Sequence, residues 1–155
     1  MFPVSIRIMK IFSENRKARF NYSILETFEA GMVLTGREVK SIRGGRINLL
    51  GSYVVLRNKE AFLISADIPP YQPENALLNY NPKRERKLLL NKKEINQLIG
   101  KTKEKGLTLV PLKVYTKGAL IKLQFGVAKG KKKKDKREFI KKRDIEREIG
   151  KKLKR

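Results

Sequence analysis

The stretch Pro82-Lys-Arg-Glu-Arg-Lys-Leu-Leu-Leu-Asn sets four cations, Lys83, Arg84, Arg86 and Lys87, directly before an apolar run and a helix start. A guanidinium offers a planar fork of donors that grips phosphate bidentately and stacks on bases. The N-terminus of the helix that follows adds unpaired backbone N–H groups. The chemistry such residues can do is anion recognition, although a solvated loop has the same composition. A second basic stretch, Gly31 to Arg46, gathers Arg37, Lys40, Arg43 and Arg46 around one acid, Glu38. Its glycines let a nucleic-acid backbone approach closely, while Glu38 can equally be a salt-bridge partner for the cations beside it. Tyrosines supply the third feature. Tyr71 and Tyr80 lie in a proline-rich connection where an exposed ring can stack on an unpaired base, whereas Phe20 and Tyr22 belong to a core-facing pattern.

Catalysis finds little support. The chain has no cysteine and no histidine, so thiolate chemistry and the commonest general base and metal ligand are excluded. Glu26, Glu29, Glu38 and Asp67 are the acids a metal-dependent nuclease would use, but such a site wants several clustered carboxylates. Glu26 and Glu29 point to opposite faces of a strand. No enzyme activity, metal or cofactor is expected.

The net charge is +23 over 155 residues. Residues 126–155 carry 15 Lys/Arg against 5 Asp/Glu, so the remainder of the chain is strongly basic as well. This is the footprint of a polyanion binder, with affinity driven by phosphate neutralisation. An anionic membrane is the competing partner, but the basic segment has too little apolar area for stable anchoring. The first dozen residues are broken by Pro3, Arg7 and Lys10, unlike a signal peptide. No apolar run is long enough to span a bilayer, so a cytoplasmic protein is expected.

Several elements can be placed. Ser13 can cap a short helix through Lys17. Phe20, Tyr22, Ile24 and Phe28 alternate as a half-buried strand, with a turn at Ala30-Gly31. Met32 to Leu34 open a second strand whose apolar face shifts after Gly36 to Val39 and Ile42, suggesting a bulge. Asn58-Lys59 links two strands as a hairpin. Pro69, Pro70, Pro73 and Pro82 mark a long connection. Asn91 caps a helix in a capping box with Glu94, and Gly106 is its expected C′ residue. Two strands joined by Lys117-Gly118 follow, the second with Ala119, Ile121, Leu123, Phe125 and Val127 inward. About six strands with few helices predict a mainly β fold: a closed or nearly closed antiparallel barrel, OB-like, with peripheral helices. After Gly130 the composition changes to a basic segment on which Phe139, Ile145, Ile149 and Leu153 form an apolar arc of roughly 120°. It reads as a tail that is disordered when free and helical against a polyanion.

Five segments in one order, Glu14-Asn-Arg-Lys-Ala-Arg-Phe-Asn-Tyr, Glu29 to Arg43, Ser52-Tyr53, Pro82 to Asn91 and Gly126 to Glu138, together resemble the small protein B family. The similarity runs from about residue 12 to the C-terminus. The resemblance implies an OB-like barrel that binds the tRNA-like part of transfer-messenger RNA. It also implies delivery of that alanine-charged RNA, with elongation factor Tu, to stalled ribosomes for trans-translation. In this picture the protein fills the space of a missing anticodon arm at the decoding centre and its tail lies in the empty mRNA channel. Alanyl-tRNA synthetase is a partner only through the RNA, and the protein is expected to be a monomer.

The resemblance assigns RNA contact to Glu29, Glu38, Lys40, Arg43, Arg84, Arg86, Lys87, Leu89, Asn91, Lys129, Lys131 and Lys132, with Glu29 and Leu89 acting through packing or positioning. It assigns ribosome function to Asp135, Lys136 and Arg137, joined by Ile145 and Ile149 of the stripe. Tyr80 stands where many members have His. The expected organisation is an N-terminal extension over 1–11, with Met9 as an alternative start, a barrel over 12–129 and the tail over 130–155. A ribosomal protein or general RNA chaperone with a basic extension is the alternative reading. If Arg84, Arg86 and Lys87 all hold phosphates, neutralising them should flatten the log K against log salt slope by about 0.7–0.9 for each phosphate let go. An unchanged slope in a folded variant would remove this cluster from the interface.

Overall fold

The structure is a computed structural model that describes residues 9–72 and 79–153, with side chains as far as Lys151 in the last helix. The expectations for the segment before Met9, for Pro73 and for the Leu153 side chain lie outside the described residues. In chain order the elements are β1 (Ile11–Glu14), α1 (Arg16–Asn21), β2 (Tyr22–Met32), α2 (Gly36–Arg43), β3 (Tyr53–Arg57), β4 (Glu60–Ile64), β5 (Arg86–Leu89), α3 (Lys92–Thr102), β6 (Leu107–Lys117), β7 (Leu120–Gly130) and α4 (Lys133–Leu153). The strands form one antiparallel sheet of seven, in the order β1-β6-β7-β2-β5-β4-β3. The ladder is open: β1 and β3 are its edges, not partners. The fold is mainly β, as expected, with one strand more than expected and no hydrogen-bonded closure among the described residues.

One core draws on both halves of the sheet. Phe28 and Ala30 of β2, Val54 of β3, Leu63 of β4, Leu88 of β5, Val114 of β6 and Leu123 and Phe125 of β7 share it with Ile42 of α2 and Leu98 of α3. Phe28 and Phe125 face each other across the β2–β7 ladder and stack with centroids 5.8 Å apart. β6 is covered on its other face too, because Ala18 of α1 packs there on Val110, Leu112 and Ala128. Pro111 sits in this central strand where the register slips between Pro111 and Lys113, a bulge being the place where a missing N–H is tolerated.

Local chemistry explains where the structure departs from the sequence reading. Ser13 lies in β1; the cap of α1 is Asn15, whose carbonyl oxygen accepts from the Ala18 N–H. β2 does not turn at Ala30-Gly31 but runs on to Met32, with Gly31 paired to both Leu89 and Lys122. The expected bulged strand through Val39 and Ile42 is α2. Thr35 and Glu38 form a full capping box at its start, and Lys40 and Arg43 suit its C-terminal dipole. Gly106 is not the C′ residue of α3, which ends at Thr102; at φ +85° it turns the chain into β6 instead. The hairpin at Asn58-Lys59 is as expected, both residues taking the positive φ of a type I′ turn. Strand pairing begins inside the segment expected to be an extension: the Lys10 N–H donates to Thr116 Oγ1, the Thr116 N–H donates to Lys10 O, and Ile11 opens β1.

Gly126 marks the tightest approach in the sheet. A Cβ there would stand 2.8 Å from Ile24 Cγ2 and 3.1 Å from Glu26 O, opposite the bulge between Ile24 and Glu26. Gly126→Ala should therefore destabilise the fold by about 1–3 kcal/mol, as overpacking does. Urea unfolding checks this, and an unchanged midpoint would mean that β2 gives way without strain.

Candidate RNA interface

The two basic stretches meet at Glu38. Its carboxylate is buried on α2, where the Thr35 N–H donates to Oε1 at 2.9 Å. Arg84 Nη2 reaches Oε1 at 2.5 Å, and Arg86 Nε reaches Oε2 at 2.7 Å. Arg86 is wholly buried and also donates to Ala66 O at 2.8 Å and Pro82 O at 3.0 Å. Beside this network the Tyr80 hydroxyl donates to Ile68 O and the Ser41 hydroxyl to Pro69 O. Burial pushes the Glu38 carboxyl up, but the hydrogen bonds from Arg84, Thr35 and Arg86 outweigh it and hold the group below the ordinary value of 4.5.

The expectation that Glu38 and Arg86 touch RNA therefore needs correction. The carboxylate and the guanidinium are both buried and bonded to protein partners, which leaves neither presented to a phosphate. The alternation of β5 sorts the cluster: Arg86 and Leu88 point inward, Lys87 and Leu89 outward. Arg84 keeps part of its side chain in solvent while it pairs with Glu38. Lys87 is half exposed and 3.4 Å from Glu60. Arg84 and Lys87 are the members left for phosphate, and a test of this cluster reads cleanly only with Arg86 intact.

The outward residues gather on another face. Leu89 is 54% exposed and Leu120 is 61% exposed, and both border a groove of about 310 Å³ with Gly31, Arg43 and Lys122. The register of the sheet makes the groove, since Gly31 lies between Leu89 of β5 and Lys122 of β7. Arg43 is fixed at its edge by a 2.9 Å bond to Ala119 O. Large exposed aliphatics ringed by cations suit a base or ribose packed between phosphate contacts. The sequence reading found Arg43 and Leu89 and missed Leu120 and Lys122. The signal was present: strict alternation with Leu123 and Phe125 inward already puts residues 120 and 122 outside.

The remaining candidates lie on other elements. Glu29 accepts from the Tyr115 hydroxyl and, at 3.0 Å, from Lys117. The Tyr115 hydrogen bond holds its carboxyl below the ordinary range. Asn91 is exposed, but its side-chain oxygen is committed to the Glu94 N–H at 2.8 Å. Lys40, Lys129 and Lys132 are exposed. Lys131 is not: its ammonium donates to Arg19 O at 3.0 Å and lies 3.8 Å from the Phe139 ring centre. It is packed against protein, against the expectation of a free phosphate ligand. On α4, Asp135, Arg137, Ile145 and Ile149 face solvent and Lys136 is half-buried. Among the described residues no three acidic side chains converge on a metal site, and no helix is long and apolar enough to cross a membrane.

The profile of the SmpB protein family matches residues 12–155. The chain belongs to that family. It is 55% identical over 146 residues to the SsrA-binding protein of Gloeothece citriformis (strain PCC 7424), covering 94% of each chain. It is 54% identical over 145 residues to the SsrA-binding protein of Enterococcus faecalis (strain ATCC 700802 / V583), again covering 94% of each. A solved SmpB chain, reported under "tmRNA-SmpB: a journey to the center of the bacterial ribosome", superposes with a TM-score of 0.64 at 47% identity, over 77% of this chain and 84% of that one. In this chain the lowered pKa of the buried Glu38 predicts a dependence of stability on pH. An acid whose native pKa is depressed stabilises above its unfolded value and loses that contribution as pH falls through the native value. Glu38→Gln should cost about 3–5 kcal/mol at neutral pH, because Arg86 is left buried without its counterion. It should also flatten the loss of stability below pH 4.5 that a lowered Glu38 pKa predicts for the parent chain. Urea titrations at neutral and acidic pH measure both, and parallel curves would remove Glu38 from the acid response.

Proposed function

We propose that this protein binds transfer-messenger RNA and brings it to stalled ribosomes for trans-translation, with its tail lying in the empty mRNA channel. The observation that carries the reading is the groove at Leu89, Leu120, Arg43 and Lys122 on a chain whose relatives are SsrA-binding proteins along nearly their full length. The groove offers apolar contact for bases flanked by cations for the backbone, the combination that a looped RNA requires and a uniform duplex does not. Lys40, Arg84 and Lys87 extend the basic field beyond it, and Glu29 holds Tyr115 and Lys117 in place beside it. Elongation factor Tu and alanyl-tRNA synthetase enter only through the RNA, the protein acts as a cytoplasmic monomer, and it contributes no catalysis of its own.

The body is read as an OB-like barrel, closed by packing instead of by a ladder. The sharing of one core by β2 to β7 supports this, as does the approach of edge strand β3 to β6. Labour is divided between this body and the tail, where the Asp135-Lys136-Arg137 motif and the Ile145–Ile149 stripe act on the ribosome. Deleting residues 135–155 should leave most binding to a tRNA-like RNA intact and abolish tagging of stalled peptides. Arg43→Ser with Lys122→Ser should instead weaken that binding and flatten its salt slope by about 0.7–0.9 for each phosphate no longer neutralised. Proportionate loss of binding and tagging on deleting the tail would favour a tail that is only more RNA-binding surface, as in a general RNA chaperone.

A further inference from the structure

The root of the tail is packed against the body in a way that the RNA-binding reading does not use. Past the last pair of the β2–β7 ladder, the Lys131 N–H donates to Asn21 O at 2.8 Å, and the Lys131 ammonium donates to Arg19 O. Both carbonyls belong to the C-terminal end of α1, where helix acceptors lack partners and a cation is favoured. Eight residues on, Phe139 meets Phe20 of α1 edge to face, with centroids 6.0 Å apart. Lys131 lies over Phe139 at 3.8 Å and Lys136 over Phe20 at 6.0 Å. Two cations thus bracket a pair of rings, each contact of a kind that stabilises. Desolvation there lowers the Lys131 pKa. Beyond Phe139 the packing ends: Ile140 is 37%, Ile145 51% and Ile149 52% exposed.

We propose that Phe20 is a positioning residue for the tail: with Phe139, Lys131 and Lys136 it forms a latch that fixes the direction in which α4 leaves the body. The latch acts on one turn of α4 and leaves the rest of the helix free, so small changes at the root swing the far end widely. Its consequence for tagging rests on the function proposed above; its existence does not.

Amide exchange on the free chain tests it without RNA. Residues 136–140 should exchange more slowly than 145–151. Phe20→Ser should lower their protection about 5- to 30-fold, the factor that corresponds to removing one or two such ring interactions. Protection in β2 and β7 should be unchanged, and Phe20→Tyr, which keeps the ring, should retain the parent pattern. Phe139→Ser, which leaves α1 untouched, should reproduce the loss. In the functional arm, Phe20→Ser should keep its affinity for the tRNA-like RNA and lose tagging. Equal exchange at 136–140 in the parent chain and both serine variants would overturn the latch. Normal tagging by a variant that has lost this protection would overturn its positioning role. Failure of the parent chain to bind RNA or tag peptides would overturn the functional reading and leave the exchange result standing.

Discussion

The buried carboxylate of Glu38 is the point on which the architecture turns. It is reached by two arginines from the strand-entry segment and by a backbone N–H of its own helix cap. Through Arg86 it is tied to Ala66 and Pro82, so one acid joins α2, the connection after β4, and β5. A lone ion in such a site would cost several kcal/mol of desolvation. The site persists because the carboxylate and the guanidinium on the inner side are partnered. Removing either one leaves a charge with no compensation, which makes the arrangement cooperative and specific in geometry more than strongly stabilising.

That constraint also shapes the surface. By pulling Arg86 inward, it sets the phase of β5, and the phase puts Lys87 and Leu89 outside. Leu89 then meets the outer face of β2 and β7 at Gly31 and Lys122. The groove is thus the solvent side of the same ladder whose other side is core. Gly31 leaves the floor between Leu89 and Lys122 low; a Cβ there would rest in ordinary contact with Leu89, 3.4 Å from its Cβ.

In a chain with net charge +23, the cations fall into distinct kinds of work. Arg86 compensates a buried acid. Arg43 and Lys131 hold backbone carbonyls on distant elements. Lys101 and Lys117 pair with Glu26 and Glu29. Lys40, Lys129 and Lys132 are exposed. Composition counts all of these alike, and a polyanion does not.

Much was legible in the residues themselves. Short-range signals with a period or a spacing are found in the structure: the Asn91–Glu94 box, the Asn58-Lys59 hairpin and, of the expected inward row, Leu123, Phe125 and Val127, whereas Ile121 is only partly buried and Ala119 is exposed in the turn before β7. The Thr35–Glu38 box was equally legible, but the alternation before it was extended across it, and α2 was read as strand. Five segments in register sufficed to point to the family. What sequence could not decide was which charges are buried and which are free. A side chain's solvation depends on what packs over it from distant parts of the chain, and local spacing carries no record of that. Arg86 and Lys87 are neighbours of the same charge, and only the tertiary structure separates them, burying one against Glu38 and leaving the other half exposed beside Glu60.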